Sequence, residues 1–175
     1  DYAANIEKAE ALAPTTERGA ATSELMVVDT PNVHTINELA TFLNVEPSET
    51  VKTLLVEGEA VEGEATKIIA FVLRGDHELN EVALKRLLGA VHVEFADEER
   101  VGKAMKAPVG SLGPCSIPEG AISKVVADVA LKGGVNLVVG ANKKGHHLTG
   151  VSLERDAEVM EYATLRVAQP GDPCP

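Results

Sequence analysis

Residues 140–150 read Gly-Ala-Asn-Lys-Lys-Gly-His-His-Leu-Thr-Gly, between the apolar runs Leu137–Val139 and Val151–Leu153. A strand that enters a tight Gly-rich loop and leaves through two histidines can hold polar chemistry at the mouth of a sheet. Thirty residues upstream lies a second such loop, Gly110-Ser111-Leu112-Gly113-Pro114. Its glycines permit close backbone approach, its proline stiffens the exit, and loops of this kind aim amide N–H groups at an oxyanion or a carbonyl. Lys52 stands in the apolar run Val51–Val56, where a lysine either faces water or reaches for an acceptor in a cleft.

The two histidines, His146 and His147, are neighbours on a strand and therefore point to opposite faces. One is expected to face a pocket and the other solvent or a neighbouring helix. No Cys or carboxylate stands at ligand spacing from either, and no HxH, HExxH or CxxC occurs, so no metal is expected. Ser111, His147 and Asp128 supply the residue types of a hydrolytic triad, but no nucleophile elbow surrounds the serine. Cys115 reads as a small core residue rather than a thiol nucleophile. Asp128 lies in an apolar strand and must be edge-facing or paired. Arg74-Gly75-Asp76-His77 reads as a turn leading into a helix.

The elements that position these residues follow from patterning. A helix is expected over Ala3–Leu12 and a polar linker over Pro14–Ser23, with a strand at Leu25–Val28. Thr35 with Glu38 forms a capping box ahead of Ile36, Leu39, Ala40 and Leu43 at helical spacing. Val51–Val56 and Lys67–Leu73 form a hairpin with a long acidic loop. Helices follow at Asn80–Leu88, closed by Gly89, and at Asp97–Lys106, with acids first and lysines last. Strands are expected at Val91–Phe95, Lys124–Val129, Asn136–Val139, His146–Leu153 and Tyr162–Ala168. Several short links permit only antiparallel pairing, which gives an α+β fold with a mixed sheet curled into a partial barrel.

The chain has 175 residues, 45% hydrophobic and 3% aromatic, with no Trp, so Val, Leu, Ile and Ala must build the core of a single domain. Sixteen basic residues against 27 acidic ones give a formal charge of −11, which opposes non-specific nucleic-acid binding. No apolar run approaches the ~20 residues of a membrane span, and no secretory signal is visible. Two cysteines, Cys115 and Cys174, make no disulfide framework and point to a reducing, cytoplasmic setting. Both ends read as cuts within a larger protein.

Four ordered motifs carry a resemblance: Val51-Lys52-Thr53-Leu54-Leu55-Val56, Leu73-Arg74-Gly75-Asp76-His77-Glu78-Leu79-Asn80-Glu81, Gly110–Pro114, and Gly140-Ala141-Asn142 with Gly145-His146-His147 and Thr149-Gly150. Together they resemble the insertion (editing) domain of bacterial-type prolyl-tRNA synthetase, in the YbaK/prolyl-tRNA synthetase-associated family. The resemblance implies a mixed, mostly antiparallel sheet curled into a pseudo-barrel with flanking helices. It divides the chain into residues 1–24 leading from the synthetase body, 25–168 as the editing domain, and 169–175 returning to the catalytic core. The stretch Val129–Val139 is more apolar than the family pattern.

The activity implied is hydrolysis of alanyl-tRNA(Pro) at its ester. The family's functional lysine matches Lys52, its GxxxP loop matches Gly110 and Pro114, and its pocket histidine matches His147; these are the expected catalytic positions. Ser111, Leu112, Gly113, Asp128, Gly140 and Asn142 are the expected substrate-binding positions. Lys52 would supply charge near the terminal phosphate or brace the loop through its carbonyls, and His147 would position a water or a ribose hydroxyl. No cofactor is implied for editing, since ATP and Mg belong to the aminoacylation domain. The implied partners are the 3′ end of tRNA(Pro) carrying alanine and the rest of the synthetase, with no membrane. Lys103, Lys106, Lys143 and Lys144 are the expected basic rim. Two alternatives stand beside this reading: a non-catalytic insertion that orders the synthetase or binds the tRNA 3′ end, and a deacylase for another small amino acid such as cysteine or serine.

Overall fold

The apolar run Ile68–Leu73 has hydrophobic residues at consecutive positions, the pattern of a strand covered on both faces. It forms the central strand β3 (Ile68–Arg74), with Ala70, Phe71, Val72 and Leu73 all fully buried. The computed structural model describes residues 12, 19–58, 67–169 and 172. Apart from Leu12, the helix expected over Ala3–Leu12 lies outside them. So do most of the segment joining it to the body and the tip of the β2–β3 hairpin.

Strand β2 (Val51–Glu57) pairs antiparallel with β3 from Val51 opposite Arg74 to Glu57 opposite Ile68, as the hairpin pattern predicts. The remaining elements are β1 (Met26–Asp29), α1 (Ile36–Leu43), α2 (Glu81–Leu88), β4 (Glu94–Phe95), α3 (Glu98–Met105), β5 (Lys124–Asp128), β6 (Leu137–Gly140), β7 (His146–Val151), α4 (Leu153–Asp156) and β8 (Glu161–Ala163). The fold is α+β with a mixed, mostly antiparallel sheet. One sheet has the order β4-β2-β3-β5-β8 and the other β1-β7-β6. Pairs β3–β5 and β5–β8 are parallel, whereas β2–β3, β2–β4, β1–β7 and β6–β7 are antiparallel. A single parallel bridge, Thr50 to Val138, joins the two sheets, so they curl around a shared core without closing.

That core, with Val51, Leu55, Ala70, Val72, Leu131, Val139 and Val151, lies inside the curl. The opposite face of the five-stranded sheet packs Phe71, Leu73 and Val126 against Leu84 of α2 and Leu165.

Helix starts follow local chemistry. Thr35 accepts from the Glu38 amide while the Glu38 carboxylate accepts from the Thr35 amide, the reciprocal pair the sequence predicts. Asn80 caps α2 and Asp97 caps α3 through their side-chain oxygens. Gly89 closes α2 in the left-handed region, at φ 63°.

Three strands are shorter than their sequence patterns suggest. Of the run Val91–Phe95, Glu94 and Phe95 alone pair with β2, and Val91 is exposed. The run His146–Leu153 ends as a strand at Val151, because the Ser152 amide donates to the Asp156 carboxylate and α4 begins. The run Tyr162–Ala168 yields β8 at its start, because the Leu165 and Arg166 amides donate to the Asp128 carboxylate instead of to a ladder. Among the described residues no helix is long and apolar enough to cross a membrane.

Candidate active site

The curl of the two sheets leaves a cavity of about 440 Å³ between the start of α1, strand β2, the loop after α3 and the ends of β6 and β7. Its aliphatic walls include Ile36, Leu39, Val51, Leu55 and Val101. Lys52, Gly110, Leu112, Gly140 and His147, from four separate segments, converge on it.

Lys52 is half-buried on β2, and its Nζ donates to the carbonyl of Gly75 at 3.3 Å. The partner is thus the turn after β3, not the Gly110–Pro114 loop that the sequence reading allowed. Among the described residues Gly75 is its one hydrogen-bond acceptor, and an ammonium carries three donors, so donor capacity remains. Burial pulls the Lys52 pKa below its ordinary value, while the nearby carboxylates of Glu78 and Asp76 oppose that shift.

His147 sits on β7 between Val28 of β1 and Gly140 of β6. Its Nδ1 lies 2.7 Å from the hydroxyl of Thr30, which is itself buried, and the Thr30 amide donates to the Gly145 carbonyl. Burial pulls the His147 pKa down, so the imidazole is neutral at neutral pH. His146 points the other way, as strand alternation requires. It meets Asp29 at 2.7 Å, and its Nδ1 lies 2.8 Å from the Lys144 carbonyl.

The loop between them is held from behind. Val109–Ser111 form a 3-10 turn, and the Gly110 amide falls in its first turn, where no intrahelical acceptor exists. Asn142 fastens the next residues. Its Oδ1 accepts from the Gly113 amide at 2.8 Å, and its Nδ2 donates to the Gly113 and Cys115 carbonyls. The loop also lies directly on β6: a Cβ on Gly113 would overlap the Gly140 carbonyl, and one on Gly140 would overlap the backbone of Ser111 and Leu112. Both glycines are therefore required by close approach, not by turn geometry.

Ser111, Gly113, Pro114 and Asn142 support the cavity wall from outside and do not line it. Asp128 is not brought to the cavity. It is fully buried, caps the 3-10 helix Val129–Leu131 through the Ala130 amide, and takes the Leu165 and Arg166 amides on its second oxygen. A Ser111–His147–Asp128 triad does not form, since His147 Nδ1 faces Thr30 and the Asp128 oxygens face backbone amides. Cys115 is buried, and burial pushes its thiol up to about 11, so it is an inert core residue. None of the four lysines expected at the rim lines the cavity, and Lys103 is engaged by Glu99 at 2.5 Å.

Two partners have no signal in their own sequence neighbourhood. Thr30 reaches His147 only because β1 pairs with β7. Gly75 could have been found from the hairpin register, which sets Val51 opposite Arg74 and so brings the next residue beside Thr50. The apolar walls from α1 and the aromatic ring of Phe95 at the rim were likewise invisible as site residues. Chemically, a loop amide without an acceptor among the described residues, an ammonium and a neutral imidazole, all from residues lining an apolar hollow, can polarise a carbonyl, balance anionic charge and relay a proton.

A family model described as an aminoacyl-tRNA editing domain matches residues 30–157. Among solved structures, the crystal structure of the hypothetical protein APE2540 is 27% identical, covers 83% of this chain and 93% of its own, and superposes with a TM-score of 0.65. A structure described as a proposed trans-editing enzyme for prolyl-tRNA synthetase is 21% identical over 82% of this chain and 87% of its own, with a TM-score of 0.67. A scaffold from computational grafting of epitope backbones is 20% identical over 83% and 88%, with a TM-score of 0.68.

Proposed function

The chain belongs to the family of aminoacyl-tRNA editing domains, and from that premise we propose that it hydrolyses the ester of alanyl-tRNA(Pro). A synthetic site built for proline cannot strongly reject alanine, because missing methylenes discriminate by only about 1–3 kcal/mol. A second, smaller site that hydrolyses what fits supplies the missing selectivity. The observation that carries this reading is the convergence of Lys52, Gly110, Gly140 and His147 on one hollow with aliphatic walls. A fold neighbour described as a proposed trans-editing enzyme for prolyl-tRNA synthetase supports the choice of tRNA.

In this reading the Gly110 amide polarises the ester carbonyl, and the Lys52 ammonium balances charge on the substrate while Gly75 fixes its position. Water adds to the carbonyl carbon, and the bond to the terminal ribose oxygen breaks. Neutral His147 orients the water or the neighbouring 2′-hydroxyl, and the proton lost by water ends on the departing ribose oxygen. The ester is already activated, so no side-chain nucleophile and no cofactor is needed. The aliphatic walls offer the substrate side chain no hydrogen bond, so proline is refused by size. Residues 25–168 act as the editing unit, with 1–24 and 169–175 connecting it to the rest of a cytoplasmic prolyl-tRNA synthetase.

The test is deacylation of alanyl-, prolyl-, cysteinyl- and seryl-tRNA by this chain. Alanyl-tRNA should turn over, with prolyl-tRNA spared at least about ten-fold. Equal rates on alanyl- and prolyl-tRNA would remove size exclusion. Preference for cysteine or serine would reassign the substrate, and no turnover of any ester would leave a non-catalytic tRNA-binding insertion.

A further inference from the structure

The cavity as a whole is larger than an alanyl group requires, so size exclusion acts only where the amino-acid side chain sits and the rest is left for the remainder of the 3′ end. Its polar side chains and backbone come from His34 and Thr35 before α1, from Lys52 and Thr53 of β2, from the Gly110 loop and from His147 of β7, whereas the β4 side offers Phe95 and Ala96, with Val101 and Val109 also in the lining. Phe95 lines the cavity yet is 52% exposed, and Val109 beside the loop is 45% exposed. In a chain with so few aromatics, the buried Phe71 fills the core while Phe95 keeps half its surface at the rim.

Its position is fixed. Phe95 pairs with Val56 at the sheet edge, and the next amide, Ala96, donates to the Leu55 carbonyl at 2.9 Å. With its backbone held in this way, Phe95 has little main-chain entropy left to lose on contact, and its side chain has only two χ angles to order. We propose that Phe95 is the stacking platform for the terminal adenine of the tRNA, with Val109 completing an apolar seat for the base. This rests on the reading of the cavity as a site for aminoacyl esters.

Three observations lead to the base rather than another group. An aminoacyl-tRNA ends in an adenosine whose ribose carries the ester, so whatever seats the ester beside Lys52 and Gly110 must seat the base within one nucleoside's length. Phe95, Ala96, Val101 and Val109 give this side of the lining an apolar, partly aromatic surface, and a base presents two apolar faces. The net charge of −11 leaves little general attraction for phosphates, so beyond Lys52 the affinity for the 3′ end draws on contacts that do not depend on charge.

The test uses the whole chain with Phe95→Leu, which keeps apolar bulk but removes the ring face, and Phe95→Trp, which enlarges it. Phe42 is equally exposed but lies outside this cavity, so Phe42→Leu is the control. On alanyl-tRNA, Phe95→Leu should raise KM roughly ten-fold with kcat little changed, the loss expected for one base stack. Phe95→Trp should match or better the wild type, and Phe42→Leu should match it. A second readout does not need hydrolysis. On titrating in a non-hydrolysable 3′-alanylamino adenosine, the adenine ring protons should shift upfield in NMR spectra with wild type and not with Phe95→Leu.

Unchanged KM in Phe95→Leu together with unshifted adenine protons on the wild type overturns the stacking role and leaves the editing reading standing. Shifted protons with no turnover of alanyl-tRNA keep the adenine seat and overturn the activity. A kcat loss in Phe95→Leu without a KM change, or an equal KM loss in Phe42→Leu, also overturns it. If Phe95→Leu instead changes only the oligomeric state, Phe95 is a protein interface.

Discussion

Asp128 and Lys52 are both charged groups in strands of mainly apolar character, yet they occupy opposite situations. Both oxygens of Asp128 are taken, by the Ala130, Leu165 and Arg166 amides, deep in the packed interior. Lys52 has one long contact to Gly75, two acidic neighbours at a distance and an open hollow in front of it. A buried charge whose hydrogen-bonding capacity is filled by backbone holds the fold together. One with capacity left over, beside a cavity, is available to a substrate. Asp128 ties the segment after β8 to the end of β5, whereas Lys52 ties nothing that other contacts do not already hold.

The largest effects should separate these two. Asp128→Ala removes the acceptor that three buried N–H groups share and should lower unfolding free energy by about 3 kcal/mol, read from the urea midpoint. Lys52→Ala should leave that midpoint within about 0.5 kcal/mol, because a half-buried ammonium contributes little to packing. It should cut kcat/KM on alanyl-tRNA by about 10²–10³-fold, the scale of losing one preorganised electrostatic group. The reverse pattern, a stable but inactive Asp128→Ala, would return Asp128 to the site as the family resemblance had it.

The same contrast explains what was legible beforehand. Helix caps at Thr35, Asn80 and Asp97, and the β2–β3 hairpin, depend on residues close in sequence, and their patterns are visible there. The parallel pairs β3–β5 and β5–β8 depend on partners far along the chain, and nothing local to Val125 or Tyr162 names them. The early end of β8 has the same origin, since Asp128, far upstream, takes the Leu165 and Arg166 amides that follow it. At the site, the loop and the histidine pair could be found because glycines and neighbouring polar residues stand out in an apolar strand. Thr30 and Phe95 could not, because a hydroxyl and a ring acquire a role only through the sheet that places them. Asp128 differs again: its apolar strand marks it as edge-facing or paired, and the three amides show it paired, whereas its place among the substrate-binding positions comes from the family resemblance alone.

Gly140→Ala sharpens the comparison from the loop side. The added methyl meets the backbone of Ser111 and Leu112, which cannot swing away as a side chain would. Relief must come from moving the Gly110–Pro114 loop off β6, against the grip of Asn142. Overpacking of this kind should cost about 1–3 kcal/mol of stability. The displaced Gly110 amide should lower kcat about 10–100-fold, since misplacement by about an ångström is enough. Full activity in a destabilised Gly140→Ala would mean that the amide is not part of the chemistry.

The smallest effect is a pH signature that divides a buried and a half-buried histidine between the two regions. His77 lies with Arg74, Arg166, Asp76 and Asp128, and burial with the two guanidiniums holds its pKa below the ordinary 6.5 against the two carboxylates. His147 lies in the cavity, and burial lowers its pKa as well. In both cases the unfolded chain binds protons more readily than the folded one. Neither histidine therefore costs stability above about pH 6.5, and each destabilises the fold increasingly as pH falls from there through its folded value. Of the two histidines, His147 should set the acid side of activity: if its neutral form is the working one, kcat/KM falls on an acid limb centred below 6.5. On the alkaline side a second limb should appear below 10.5, where the depressed Lys52 gives up its proton. His77→Gln should flatten part of the acid loss of stability and leave the activity limb in place, whereas His147→Gln should remove the activity limb. An acid limb that instead disappears with His77→Gln would mean that the structural cluster, not the cavity, sets the pH response, and the division between the two regions would fail.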